Sequence, residues 1–452
     1  MVDLLIIGSG PAGYVAAERA AQKGLQVVLF EKKSLGGVCL NEGCIPTKTL
    51  LYSAKTYENA VNSNKYGVFT DTVSFKYDKI VGRKNKTIRK LIAGVKAKMS
   101  APNISVVEGE AVIQSRNANG IEVSCNGEAY TGKNLLVCTG SESIIPAISG
   151  LTELGDVVLT SREILTLKEQ PKSLVVIGGG VIGTEFAAFF NSLGSKVTVI
   201  EMLPEILGGM DLEVSQLLRD ILAKKGVDFH LESKVIRIEG NNVVFEKDGQ
   251  TLIVDGEKIL LSVGRRAITQ GFGLENIGVK LTQYGGIQVD NKMCTNVPHV
   301  FAAGDITGFS LLAHTASREG EVVVNNLLGI ADSMHYNAIP GVVYTNPEVA
   351  GVGHTEESAK RAGIAYKIAK LPMAYSGRFV AENEGGNGLC KVLVDKSNNT
   401  VIGVHMLGNP CSEIIYGACL AIEKEMTVEE LQKVVFPHPT VSEIFKEVLF
   451  EV

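Results

Sequence analysis

Residues 4–13 read Leu4-Leu5-Ile6-Ile7-Gly8-Ser9-Gly10-Pro11-Ala12-Gly13, and a helical stretch to Gly24 and the run Val27-Val28-Leu29-Phe30-Glu31 follow. A buried apolar strand, a glycine-rich turn, a helix and a second apolar strand together describe a nucleotide-binding unit. The first glycine permits the strand-to-helix turn, the second lets a pyrophosphate approach the backbone, and the third lets helix and strand pack closely. Glu31 ends the second strand 18 positions after the third glycine. There a carboxylate accepts hydrogen bonds from ribose hydroxyls.

The design recurs about 170 residues later. Leu174-Val175-Val176-Ile177 precedes Gly178-Gly179-Gly180-Val181-Ile182-Gly183, and a helical stretch to Gly194 leads to Val197-Thr198-Val199-Ile200-Glu201. Glu201 again falls 18 positions after the third glycine. One G-x-G-x-x-G is a weak signal, but two copies with strand, helix and acidic residue all in place are not. A carboxylate repels a 2′-phosphate, and Met202-Leu203-Pro204-Glu205 offers no cation, so both units favour FAD or NAD over NADP.

The rest of the chain agrees with a globular protein of about three domains. It has 452 residues, 45% hydrophobic and 21% charged, with 49 Gly and only 13 Pro, which excludes general disorder. A net charge of −5 gives no global field for nucleic acid or anionic lipid. The short apolar run at the N-terminus follows Asp3 and lacks a basic lead, so no signal peptide is expected. No apolar stretch is long enough for a membrane span, and the expected location is the cytoplasm. Residues 79–98 carry eight basic and no acidic side chains, with Ile88, Leu91, Ile92, Val95 and Met99 at helical spacing. This reads as a helix with a solvated basic face, or alternatively a docking patch for an acidic partner. After about residue 340, short strands alternate with helices, including a Thr427-x-x-Glu430 capping box, and indicate a separate α+β domain.

Two further constellations carry chemistry. Cys39 and Cys44 are five apart, whereas Cys125, Cys138, Cys294, Cys390, Cys411 and Cys419 are scattered. In a cytosolic chain a close pair favours redox chemistry or a metal half-site, and no second pair completes a zinc site. Cys44 is placed just before a helix over Thr47–Lys55, where the macrodipole favours thiolate. His438, in Pro437-His438-Pro439-Thr440-Val441-Ser442-Glu443, suits proton exchange with thiols. Glu443 either orients it or, through Thr440-x-x-Glu443, caps the final helix.

These pieces in this order resemble the flavin-dependent pyridine nucleotide–disulfide oxidoreductases, and within them the dihydrolipoamide dehydrogenase branch. The resemblance spans essentially the whole chain. It rests on GSGPAG at 8–13, GGVCLNEGCIPTK at 36–48, TGS at 139–141, GGGVIGTE at 178–185 and SVGRR at 262–266. It continues through FAAGD at 301–305, LLAHTASREG at 311–320, VYTNPE at 343–348 and HPTVSE at 438–443. It implies an α/β fold with two Rossmann-like dinucleotide-binding domains, for FAD and NAD, plus a C-terminal α+β dimerisation domain. The corresponding spans are 1–145 and 267–335 for FAD, 146–266 for NAD and 336–452 for the interface. FAD would contact Gly8, Gly10, Gly13, Glu31, Lys48, Ala111, Thr139, Gly140, Ser141, Asp305, Leu311, Leu312, Ala313 and His314. NAD would be held by Gly178, Gly180, Gly183, Glu201, Val235 and Gly264.

The resemblance also implies roles. Cys39 would exchange with the substrate disulfide, Cys44 would stack against the flavin, and Lys48 would pair with Glu185 beside it. His438, oriented by Glu443, would be the acid–base group serving the dithiol of the other subunit of a homodimer. The implied reaction is oxidation of dihydrolipoamide on a lipoyl-bearing domain or protein of a 2-oxo acid dehydrogenase or glycine cleavage complex, with NAD⁺ reduced. Val38 stands where threonine is frequent, and Phe436-Pro437 replaces a more polar lead, but neither removes a catalytic group. The N-terminus starts at the first strand, so no fused lipoyl domain is expected. The C-terminal Glu447–Val452 lacks the extra cysteine pair of mercuric and larger thioredoxin reductases. The alternatives are another FAD-dependent disulfide reductase, or a flavin-binding assembly subunit of a large complex. No metal, nucleic-acid or membrane site is expected.

Overall fold

A computed structural model describes residues 1–151 and 155–452. The chain divides into two compact units. One comprises Met1–Thr49, Val81–Ile144 and Gly264–Met334; the other comprises Leu50–Ile80, Ile145–Val263 and His335–Val452.

The first unit is built on the strand Val2–Ile7, which runs parallel to both Val27–Glu31 and Glu128–Val137, with Leu5 opposite Val28 and Leu135. Ile104–Glu108 extends the sheet beyond Val27–Glu31. Along Glu128–Val137, Gly120–Cys125 pairs antiparallel with its first half and Val300–Ala302 parallel with its last residues. Leu4, Leu5, Leu135, Leu136 and Val137 are fully buried, the continuous apolar run that a parallel strand covered on both faces requires. Helix α1 (Pro11–Gln22) starts with proline in its first turn, where the missing N–H leaves no bond unmade. The helix Ala313–Leu327 lies close against α1: a Cβ on Gly320 would sit 2.6 Å from the Ala12 carbonyl oxygen.

Helices α2 (Gly37–Glu42) and α3 (Cys44–Val61) carry the two close cysteines, and α4 (Tyr77–Met99) follows. The sequence placed the start of α3 at Thr47. It starts at Cys44 because Pro46 falls in the first turn, where no intrahelical N–H is needed. On α4, Val95 and Met99 are buried and Leu91 is 38% exposed, so the apolar stripe is narrower than its spacing indicated. Lys84 leaves the solvated face altogether, at 5% exposure. Arg265–Ala267 pairs antiparallel with Ser141–Ser143.

The second unit repeats the parallel design. Ser173–Ile177 lies between Lys196–Ile200 and Lys258–Leu261, with Val176 opposite Val199 and Leu260. The helix Val181–Ser192 buries Phe186, Phe189 and Phe190. A five-stranded antiparallel sheet, ordered 341–343, 349–353, 401–407, 389–395 and 366–372, forms the C-terminal part with the helices Cys411–Glu423, Val428–Gln432 and Glu443–Leu449. The capping box at Thr427 and Glu430 is present in both directions. Lys391, 1% exposed on that sheet, reaches Asp211 at 3.0 Å and Glu356 at 3.0 Å. Burial alone would lower its pKa, but the surrounding carboxylates hold it above the usual lysine value. Asp211 also accepts the Val214 N–H as the N-cap of the helix Leu212–Lys224, so one buried ion pair ties that helix to the sheet.

Candidate active site

Both glycine loops are shaped as their sequences required. Gly8 has φ +100°, and a Cβ there would lie 2.3 Å from the Cys138 carbonyl oxygen. A Cβ on Gly13 would lie 1.9 Å from the Gly8 oxygen, whereas one on Gly10 meets nothing within 4 Å. The second loop matches it point for point. Gly178 and Gly183 would bring a Cβ to 2.6 Å from the Ser262 oxygen and 2.0 Å from the Gly178 oxygen, and Gly180 faces open space. In each loop the first and third glycines are fixed by packing, while the middle one borders a cradle at a helix N-terminus that fits a diphosphate.

The acidic residues are anchored alike. Glu31 accepts the Ser9 N–H at 2.9 Å, the Ser9 hydroxyl at 2.6 Å and the Lys33 N–H at 2.8 Å. Glu201 accepts the Gly179 N–H at 2.6 Å and the Leu203 N–H at 2.8 Å. A carboxylate has about four acceptor positions, so each retains capacity for a ribose hydroxyl.

Around the first loop, Ala111 is buried, the Thr139 hydroxyl donates to Ile268 O at 2.9 Å, and Gly140 takes φ +75°. The Ser141 hydroxyl donates to Asp305 at 2.5 Å and receives Arg265 Nε at 2.7 Å. Burial pushes the Asp305 carboxyl up, opposed by Ser141 and Arg265. Leu311 is exposed, Leu312 is the N-cap of the helix Ala313–Leu327, and Ala313 and His314 open that helix. Gly264 takes φ +118° and accepts the Ile144 N–H at 3.0 Å. Sequence reasoning missed Arg265 and the fully buried Glu319, which accepts the Gly304 N–H at 2.5 Å. In the second unit, Val235 lies at a register shift in the strand Lys234–Glu239. Glu185, 2% exposed, accepts the Tyr344 N–H at 3.0 Å. Lys48 belongs to the first unit and Glu185 to the second.

The close cysteines come together as half-buried thiols. Cys39 lies in α2, Cys44 is the first residue of α3, and the two side chains are hydrogen-bonded to each other. That bond and burial push the Cys39 thiol far up, and the nearby Lys48 charge opposes them. Lys48 is one helical turn beyond Cys44, and the helix N-terminus favours a thiolate at Cys44 itself. Cys125, Cys138, Cys390 and Cys411 are buried, with burial raising each thiol, the inert pattern.

His438 Nδ1 lies 2.9 Å from Glu443 Oε1, and the ring side chain is 79% exposed. Glu443 Oε2 accepts the Thr440 N–H at 2.8 Å. That backbone bond first, and His438 second, hold the Glu443 carboxyl below the usual carboxylate range. Both readings of Glu443 are partly realised: one oxygen meets the imidazole and the other accepts the Thr440 N–H, half of a capping box, while the Thr440 hydroxyl donates to Pro437 O at 2.8 Å and the N-cap Ser442 makes no side-chain cap bond.

Two nucleotide-binding folds with a thiol pair next to the first glycine loop define an oxidoreductase that moves electrons between nucleotides and sulfur. Residues 2–320 match the family described as pyridine nucleotide-disulphide oxidoreductase, and residues 339–449 match its dimerisation domain; the chain belongs to this family. The family uses FAD and NAD(H), which the two cradles fit. The chain is 39% identical over 450 residues to a dihydrolipoyl dehydrogenase of Geobacillus stearothermophilus, covering 98% of this chain and 95% of the relative. It is 39% identical over 451 residues to the Bacillus subtilis dihydrolipoyl dehydrogenase, with the same coverage. Among solved structures, the Cu(II) complex of the HOCl-induced flavoprotein disulfide reductase RclA from Escherichia coli superposes with TM-score 0.87 at 28% identity, covering 100% of both chains. Among the described residues, no helix is long and apolar enough to cross a membrane.

Proposed function

We propose that this chain is an NAD-dependent dihydrolipoyl dehydrogenase, oxidising protein-bound dihydrolipoamide to lipoamide while Cys39 and Cys44 cycle between disulfide and dithiol. It works as a cytoplasmic homodimer serving the lipoyl-bearing domain or protein of a 2-oxo acid dehydrogenase or glycine cleavage complex. Residues 1–145 and 267–335 hold FAD, 146–266 hold NAD, and 336–452 form the subunit interface. The observation that carries the reading is the hydrogen-bonded Cys39–Cys44 pair at the start of α3, in a chain so similar to dihydrolipoyl dehydrogenases along its whole length.

In the proposed route His438 of one protomer serves the thiols of the other. With Nδ1–H directed to Glu443, Nε2 is free to take the proton of a dihydrolipoyl thiol. The resulting thiolate attacks Cys39 Sγ of the oxidised pair; the Cys39–Cys44 bond breaks and Cys44 leaves as thiolate. The second lipoyl sulfur then attacks the substrate sulfur of the mixed disulfide, closing the lipoyl ring, and its proton passes to the departing Cys39 sulfur, which leaves as a thiol. The substrate has lost two electrons and two protons, and the cysteine pair has gained the two electrons. Lys48 and the α3 N-terminus stabilise the thiolate formed. FAD and NAD⁺, when bound, supply the two-electron acceptors that return the pair to the disulfide.

The likeness to the disulfide reductase RclA supports a second reading, a different disulfide substrate on the same machinery. One set of assays separates the two. The purified flavoprotein is offered dihydrolipoamide with NAD⁺ and, in parallel, oxidised glutathione with NADPH, with His438→Gln as control. Rapid NADH formation that is lost in the variant, with no oxidation of NADPH by the glutathione pair, supports the dehydrogenase. No dithiol turnover despite bound FAD overturns it.

A further inference from the structure

Met202-Leu203-Pro204-Glu205, directly after Glu201, include no cation, but the fold brings one to them from the next helix. Arg219, on the helix Leu212–Lys224, directs Nε to both carboxylate oxygens of Glu205, at 3.0 Å each. Its Nη1 lies 3.1 Å from Asp220 Oδ1. The Glu205 side chain is only 7% exposed and that of Arg219 27%, so the pair is largely withdrawn from water. Glu205 also accepts the Ile206 N–H at 2.8 Å, which fixes the carboxylate on its own backbone. The route above makes no use of this pair.

Glu205 sits on the chain that closes over the second glycine loop. At one end of that segment Glu201 accepts the Gly179 N–H at 2.6 Å. At the other the Leu207 N–H donates to the Gly179 oxygen at 2.9 Å. A Cβ on Gly179 would lie 2.9 Å from Ile206 Cγ2 and 3.3 Å from Glu201 Oε2. Glu201, Gly179 and Ile206 thus form one wall, and Glu205 is the residue before Ile206. The carboxylate with capacity for a ribose and the carboxylate that holds Arg219 lie on a single segment, pinned at both ends to the same glycine.

We propose that Glu205 is a specificity-determining residue for the dinucleotide. By occupying Arg219 it denies a 2′-phosphate the guanidinium that would counter Glu201, and so keeps the second unit selective for NAD over NADP. The proposal rests on the reading that residues 146–266 hold NAD. A guanidinium bound by a carboxylate is neutralised, and its fork is committed to that partner. A phosphate monoester carries nearly two negative charges at pH 7, so it gains both from losing the Glu205 charge and from meeting a free Arg219. The 2′-hydroxyl of NAD is neutral and gains from neither. Selectivity is a difference between two affinities, and withholding a favourable contact from the wrong ligand is one way to set it.

The test is equilibrium binding of NAD⁺ and of NADP⁺ to the oxidised, flavin-loaded protein, measured by titration calorimetry at one fixed low salt concentration. Glu205→Ala is expected to tighten NADP⁺ about tenfold while the Kd for NAD⁺ stays within about twofold. Glu205→Gln, which keeps the shape and loses the charge, is expected to shift NADP⁺ in the same direction by less, and it carries the test if the alanine variant does not fold. Adding Arg219→Gln to either variant is expected to abolish the gain. NADP⁺ affinity unchanged in the variants that fold, tightening shared equally by NAD⁺, or a gain that survives Arg219→Gln overturns the proposal. So does a wild type that binds the two dinucleotides equally. A wild type that binds neither overturns the reading of residues 146–266, and this proposal with it.

Discussion

Glu443 Oε1 lies 2.9 Å from His438 Nδ1 while Oε2 of the same carboxylate accepts the Thr440 N–H at 2.8 Å. The backbone bond fixes the carboxylate, and the carboxylate fixes the ring so that Nε2 points away as the acceptor. Removing the base and removing its orienting group therefore differ in degree. With dihydrolipoamide and NAD⁺, His438→Gln is expected to lower kcat by a factor of about 10²–10⁴, the usual worth of a positioned general base. Glu443→Gln keeps an acceptor for Nδ1–H but loses the charge, and about a tenfold loss is expected. Equal losses in the two variants would contradict this division of roles.

The glycine loops separate packing from ligand contact. A Cβ on Gly13 would stand 1.9 Å from a backbone oxygen, so Gly13→Ala must displace α1 from its strand. A Cβ on Gly10 meets no protein atom within 4 Å and occupies only the space beside the helix N-terminus. Gly10→Ala is expected to fold with a Tm near that of the wild type but to lose flavin on dialysis. Gly13→Ala is expected to reduce soluble yield and Tm together. Flavin absorbance per protein, measured beside thermal unfolding, distinguishes the two.

The two cysteines are not equivalent. The hydrogen bond with Cys44 is the largest of the influences that push the Cys39 thiol up. Replacing Cys44 with Ala removes it, so the pH midpoint for alkylation of Cys39 is expected to move down, with burial still holding it above a free thiol. Cys39→Ser and Cys44→Ser are each expected to stop dihydrolipoamide turnover. Binding of Cys44→Ser to a lipoyl-bearing complex should persist, since assembly does not need the sulfur.

Local signals were legible in the sequence and distant pairings were not. The strand, the Gly8–Gly13 turn, α1 and Glu31 lie within one stretch of 30 residues, where apolar runs and glycine spacing carry the geometry. The same holds for the Thr427–Glu430 capping box and for Cys39 with Cys44. Arg265 on Ser141 joins residues 124 apart, and Lys391 on Asp211 joins residues 180 apart, with no periodicity to announce either. The helix of α4 was legible in its apolar spacing, but the exposure of Leu91 and the burial of Lys84 depend on what packs against the helix, which its own sequence does not contain.

Lys391 offers a direct test of that unannounced pair. Its ammonium and the Asp211 carboxylate are each about 1% exposed. Truncating the lysine leaves a buried, uncompensated carboxylate, which costs about 3–5 kcal/mol. Lys391→Ala is therefore expected to lower the urea midpoint strongly. The double variant Lys391→Met/Asp211→Asn, with no buried charge left on either residue, should recover much of the loss. A single variant as stable as the wild type would show that the carboxylate finds another partner.

Asp332 gives the clearest acid dependence. Arg318 reaches it with two guanidinium nitrogens, at 2.8 and 2.5 Å, and Asn325 donates at 2.7 Å. These bonds, Arg318 foremost, lower the carboxyl to about 2. A folded-state pKa below the unfolded value of about 3.9 stabilises the ionised form, so the contribution is complete above that value. It fades as pH falls from about 4 through 2. With Arg318 partly exposed, solvent screening keeps it to about 1 kcal/mol. Asp332→Asn should thus lower Tm at pH 7 by about 1 °C. The gap between variant and wild type should narrow progressively below pH ~4 and close near pH ~2. A gap that stays constant across this range would place the effect of the substitution in packing rather than in the ion pair.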